Sequence, residues 1–114
     1  MRGLRDINLA DNERRAIEAA SSLLRARFPV KQVVLFGSKA RGESEQESDI
    51  DLLVLTTRPL AWREQCLIID ALYPLQLEHG VLFSPLIVAA DDWTAGLYQV
   101  LPIRREIDRD GVAA

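Results

Sequence analysis

Apolar positions recur along this chain with two different periods. Ile17, Ala20, Leu24 and Phe28 fall at helical spacing, which predicts an amphipathic first helix with one buried stripe. Asp11 and Asn12 are its candidate caps, Glu13 stands in its first turn, and Pro29 ends it. Gln32 to Phe36 is β-rich and nearly all apolar, the pattern of a buried strand. Gly37-Ser38 stops that strand. Ser38-Lys39-Ala40-Arg41 fits one helical turn before Gly42, and Glu43 to Ser48 reads as an exposed polar loop.

Asp49 to Leu55 predicts a second strand. Pro59 stands where it can start a helix. That helix is expected over Leu60 to Tyr73, with Leu60, Glu64, Leu67, Ile68, Ala71 and Leu72 near one side and Pro74 past its end. Val81–Phe83 and Leu86–Val88 give a third strand, interrupted by Pro85 and therefore at an edge or bulged. Asp91 is a candidate cap for a short helix over Asp92 to Val100. Pro102 breaks the chain, and Ile103 to Asp108 fits a last helical turn. The order α-β-β-α-β-α predicts an α/β (α+β) fold, a small mixed β-sheet packed with helices. Strand order is not legible at this level.

Composition narrows the setting. The 114 residues fit one domain. A net charge of −3 argues against general nucleic-acid binding. The single cysteine, Cys66, allows no internal disulfide, which suits a reducing compartment. No apolar run approaches a membrane span, and Met1 to Asn8 lacks the apolar core of a signal peptide. The expected location is cytoplasmic.

Chemistry concentrates in two places. Asp49 and Asp51 lie two apart, so on a strand both carboxylates face one side. They stand where the strand enters its core run, and they repel each other. A divalent cation removes that repulsion, and Mg²⁺ favours one or two carboxylates plus phosphate oxygens. Gly37 permits close backbone approach to a phosphate, and Ser38 adds a hydroxyl donor at a helix start. Arg41, one turn later, can reach a phosphate or a carboxylate. Lys39 is a weaker basic candidate. A phosphate turn facing a carboxylate pair suits phosphoryl or nucleotidyl transfer.

Taken together, Gly37-Ser38, a spacer ending in Ser48, and Asp49-Ile50-Asp51 resemble the signature of the DNA polymerase β-like nucleotidyltransferase superfamily. Within it, Gly37-Ser38-Lys39-Ala40-Arg41-Gly42 with Ser48-Asp49-Ile50-Asp51-Leu52-Leu53-Val54 is similar to the minimal nucleotidyltransferases, the MNT or MntA-like antitoxin group. The resemblance is strongest over Leu35 to Val54. It implies a nucleotidyltransferase fold as one domain over residues 1–114. It also implies an enzyme in which Gly37 and Ser38, with Arg41, bind ATP or another NTP. Asp49 and Asp51 would form the catalytic pair and hold Mg²⁺ or Mn²⁺. The reaction would pass an NMP, AMP first, to a hydroxyl and release pyrophosphate. A helical HEPN-type toxin is the implied partner, and one of its tyrosines the implied acceptor. A homo-oligomer is a further expectation.

One departure bears on activity. Active members of the family usually carry a third carboxylate on the next strand, where this chain reads Val81 to Val88 without an acid, and Ser84 is the position expected to be equivalent. Transfer would then be slow, completed by a partner's group, or lost. In the last case the protein is a binding module that neutralises its toxin by direct contact, with Trp93, Leu97 and Leu101 as candidate interface. Other residues have plainer readings. Arg41 has a surface salt bridge to Glu43 or Glu45 as its alternative. His79 before Gly80 reads as a turn residue, Cys66 as a buried packing residue, and Trp62, Trp93 and Tyr98 as core or interface.

Overall fold

The computed structural model describes residues 1–43 and 48–114. A two-residue strand β1 (Arg2–Gly3) and a 3-10 turn at Leu4–Asp6 lead to helix α1 (Asp11–Arg27). Neither expected residue caps α1. Ala10 is the cap position, and Glu13 reaches back to accept its backbone N–H at 3.0 Å. Asp11 instead pairs with Arg15 one turn on, at 2.9 Å, and Asn12 donates to the carbonyl of His79 at 2.9 Å.

Strand β2 (Val30–Phe36), the short helix α2 (Ser38–Arg41) and strand β3 (Ile50–Thr56) follow. Helix α3 spans Trp62–His79, so Pro74 lies inside it rather than past its end. Proline removes one helical hydrogen bond, the one that would reach Asp70. Asp70 and Pro74 are both exposed, so water can serve the orphaned carbonyl. The buried residues Ile68 and Leu72 hold the helix on the core. It closes at Gly80, in the left-handed region at φ +67°. Leu67, expected on the inner side, is 56% exposed.

Strand β4 (Phe83–Ala89) runs unbroken through Pro85, at the sheet edge where a missing N–H is tolerated. Helix α4 (Ala90–Ala95) starts from Ala89 rather than from an Asp91 cap. A 3-10 turn at Leu97–Val100 leads to helix α5 (Pro102–Asp110) and the two-residue strand β5 (Val112–Ala113). Pro102 opens α5 at its first turn, where no N–H is needed.

Among the described residues, five strands form one mixed sheet in the order β1-β5-β2-β3-β4. β2 and β3 are antiparallel, β3 and β4 parallel. The side-chain alternation of β2 and β3 sorts the core into two layers. Val33, Leu35, Ile50, Leu52 and Val54 face α1 and α3, meeting Ile17, Ala20, Leu24, Ile68 and Leu72. Val34, Leu53 and Leu55 face the other side, meeting Trp93 of α4 and Ile107 of α5. Trp93 is therefore core, 5% exposed, and not a surface contact. Its ring lies 5.6 Å from that of Tyr98, and the Arg104 guanidinium lies over it at 5.2 Å. No helix among the described residues is long and apolar enough to cross a membrane.

Candidate active site

β2 delivers the chain to the site at Phe36, which pairs in register with Asp51. Gly37 follows at φ +75° and is buried, a backbone conformation that side chains disfavour. A Cβ on Gly37 would stand 2.2 Å from Oδ2 and 3.1 Å from Cγ of Asp51. Glycine is thus required twice here, once by its backbone angle and once by the carboxylate against it. Ser38 opens α2, which ends at Gly42 in the left-handed region, φ +71°. The Glu43 N–H closes the turn onto the Ser38 carbonyl at 3.1 Å.

Asp51 lies on β3 and is half-buried, while Asp49 is exposed one residue before the strand starts. The pair therefore sits at the strand's entry end, with only Asp51 inside the ladder. Asp51 shares its face with Leu53 and Leu55, the side covered by α4 and α5. Burial pushes the Asp51 carboxyl above its usual range. The negative charges of Asp49 and Glu106 push the same way, against the pull of Arg41. An acid so placed favours a cation at its oxygens.

Ser84 is the register partner of Asp51 on the parallel strand β4, and it is exposed. The neighbouring strand thus presents a hydroxyl beside Asp51 where an acid would lengthen the carboxylate row. Arg41 occupies the opposite flank. Its Nε donates to Glu43 at 3.1 Å and one terminal nitrogen to Glu106 at 2.8 Å. Of its two expected surface partners, Glu43 is thus engaged, and Glu45 lies outside the described residues. Sequence reading missed Glu106, which sits 65 positions from Arg41 on α5; no local pattern joins the two.

Lys39, the weaker basic candidate, is buried and ion-paired with Glu13 of α1, itself almost fully covered, a contact that joins α2 to α1. Cys66 is half-buried rather than enclosed. His79 is the last residue of α3, before the turn glycine, as its sequence position implies. Among the described residues, no three His, Cys, Asp or Glu side chains gather into a metal-binding group. Asp49 and Asp51 are the two side chains at this strand end whose chemistry would suit a divalent cation.

Residues 17–84 match the family model described as a nucleotidyltransferase domain. A Methanocaldococcus jannaschii protein assigned as a protein adenylyltransferase is 32% identical over 78 residues, 67% of this chain and 73% of the relative. A second protein of that organism, assigned alike, is 39% identical over 49% of this chain, a match spanning 57% of the relative's length. A solved protein assigned as a minimal nucleotidyltransferase superposes with a TM-score of 0.60 at 31% identity, covering 90% of this chain and 95% of its own. A solved toxin–antitoxin with AMP-PNP gives 0.58 at 17% identity, over 91% of this chain and 72% of its own, a likeness of fold.

Proposed function

The chain belongs to the nucleotidyltransferase domain family, and from that footing we propose that it transfers a nucleoside monophosphate from an NTP to a protein hydroxyl. ATP is the proposed donor, AMP the group moved and pyrophosphate the product. The observation that supports this reading is the close approach of Gly37 to Asp51, which brings the turn before Ser38 against the Asp51 carboxylate. Gly37 and Ser38 would receive the triphosphate, and Arg41 would turn to it from its acidic partners. Asp49 and Asp51 would hold Mg²⁺ or Mn²⁺. Held there, it would supply positive charge against the charge developing on the phosphate.

The acceptor is proposed to lie on a partner protein. Relatives assigned as protein adenylyltransferases and a fold neighbour solved as a toxin–antitoxin point the same way. We place the chain as the antitoxin of such a pair, with a helical HEPN-type toxin carrying the accepting tyrosine. The test is calorimetric binding of ATP with and without Mg²⁺, followed by transfer of label from α-labelled ATP to the co-expressed partner. Mg²⁺-dependent binding and transfer, both lost in Asp49→Asn/Asp51→Asn, are the expected results. Label transfer that survives in the double variant would end this reading.

A second reading rests on Ser84, the hydroxyl that stands beside Asp51 where an acid would extend the site. In it, the chain keeps the fold and neutralises its toxin by contact alone. The exposed apolar side chains available for that contact include Leu97, and also Trp62, Ile69, Tyr73 and Leu77 on α3. This reading expects a folded Asp49→Asn/Asp51→Asn variant to protect cells as well as the wild type does.

A further inference from the structure

β4 brings no acid to Asp51, yet α5 brings one to the same side of the sheet. Asp51 shares a face with Leu53 and Leu55, and Ile107 of α5 packs on that face. Glu106 immediately precedes Ile107, so the packing that seats α5 also carries the Glu106 carboxylate to the rim of the site. There Arg41 holds it at 2.8 Å. Arg41 is the last residue of α2, the turn that starts after Gly37. Its guanidinium is shared between Glu106 and Glu43.

Glu106 also borders a cleft of about 340 Å³ whose other walls are Val100, Pro102, Arg105 and Arg109. One carboxylate thus touches both the arginine beside the phosphate turn and an open space able to admit a side chain. The Glu106 charge reaches Asp51 as well, since it helps raise that carboxyl. No three acids among the described residues converge on a common cation position. Glu106 therefore stands outside the metal pair, joined to the site through Arg41.

We infer that Glu106 is the proton acceptor of the site, delivered by α5 in place of an acid on β4 and held by Arg41 until a triphosphate takes that arginine. The inference rests on the nucleotide-transfer reading above. A triphosphate at Gly37-Ser38 offers Arg41 several charged oxygens, a stronger partner than two half-exposed carboxylates. Once Arg41 turns, Glu106 faces the acceptor. The acceptor oxygen bonds to the α-phosphorus, and its proton passes to the Glu106 carboxylate. The bond from that phosphorus to the bridging oxygen breaks, and its electron pair leaves on pyrophosphate. A positioned base of this kind contributes about 10²–10⁴ in rate.

The experiment compares wild type, Glu106→Gln, Ser84→Asp and the Glu106→Gln/Ser84→Asp double variant. Calorimetry reads ATP affinity, and α-labelled ATP with N-acetyl-tyrosinamide as hydroxyl acceptor reads transfer. Because Glu106→Gln removes one of the two carboxylates that hold Arg41, ATP binding should tighten about threefold or more. Transfer should fall about 100-fold, and Ser84→Asp in that background should recover at least about a tenth of the wild-type rate. An ion pair that only braces the fold predicts the opposite sign for affinity and no rescue by Ser84→Asp. Weaker or unchanged ATP binding in Glu106→Gln overturns the inference, as does transfer that stays at the wild-type level or is not rescued. Should Glu106→Gln fail to fold, Glu106→Asp keeps the charge with a shorter reach, and its transfer should drop about tenfold; an undiminished rate overturns the inference. A wild type that binds MgATP without labelling the acceptor also removes the base. A folded wild type that binds no MgATP at all instead fails the underlying reading.

Discussion

The Cβ that Gly37 lacks would stand 2.2 Å from Oδ2 of Asp51. Gly37→Ala must therefore strain the backbone and displace the carboxylate together. Destabilisation of about 2 kcal/mol is expected, with loss of Mg²⁺-dependent ATP binding. Gly42 provides the contrast. Its φ is also positive, at +71°, but nothing lies within 4 Å of a Cβ there. Gly42→Ala should cost about 1 kcal/mol and keep ATP binding. Denaturant titration beside calorimetry separates the two; equal losses of binding would show that strain alone decides.

Asp51 should burden the fold that it serves. Its carboxyl is raised by burial, by Asp49 and by Glu106, so the native state holds this proton more tightly than the unfolded chain does. Stability from this group is then greatest below the ordinary carboxylate range and falls as pH rises through the raised native value. Asp51→Asn should have a higher Tm than wild type at pH 7, with the difference shrinking on acidification. Saturating MgATP should reverse the order, since a ligand at 100 times its Kd adds about 2.7 kcal/mol to the form that binds it. Thermal scans from pH 4 to 8 read both effects.

Lys39 and Glu13 should matter to stability and not to nucleotide. Both are buried, and they form an ion pair joining α2 to α1. Lys39→Met leaves Glu13 covered and unpaired, at a cost of about 3 kcal/mol. Glu13→Gln/Lys39→Met should recover much of that loss. The direct check is urea denaturation of the two variants. ATP affinity in the folded variants should stay within about threefold of wild type, a shift near 0.6 kcal/mol.

Pro74 offers a gain. It sits in the interior of α3 and is exposed, so no packing depends on its ring being enclosed. Pro74→Ala restores a helical hydrogen bond, set against a looser unfolded chain. A net rise of about 1–2 kcal/mol in unfolding free energy is expected. An unchanged denaturation midpoint would mean that the helix has already absorbed the proline.

The parts of the site legible in the sequence are those built by neighbours along the chain. Gly37-Ser38 ends a strand and Asp49-Ile50-Asp51 opens one, and an antiparallel pairing of adjacent strands brings such ends together. Ser84 was readable for a related reason, since one parallel crossover sets it beside Asp51. What escaped is long-range or short. Glu106 and Glu13 meet Arg41 and Lys39 across 65 and 26 positions, where periodicity carries no signal. β1 and β5 have two residues each, too few to alternate. Trp93 looked available for a partner because a six-residue helix gives little periodicity; the sheet face above Leu53 and Leu55 claims it instead. Pro74 misplaced the end of α3 because burial of Ile68 and Leu72 outweighed a local break.

The narrow seam of β5 has a dynamic consequence. Only Val112 and Ala113 pair with Arg2 and Gly3 on one side and with Leu35 and Val34 on the other. A few tethers reinforce them, including Arg2 to the Asp110 carbonyl at 2.8 Å and Ser21 to the Ala114 carbonyl at 3.0 Å. The seven-residue strands β2, β3 and β4 share far longer ladders. Partial opening should begin where the fewest bonds must break, so β5 and α5 form a unit that can detach while the central sheet persists. Amide exchange should then run faster in residues 102–113 than in residues 50–56. Because that unit carries Glu106, each opening would also take away one of the two carboxylates that hold Arg41, tying the arginine's availability to how often the seam parts.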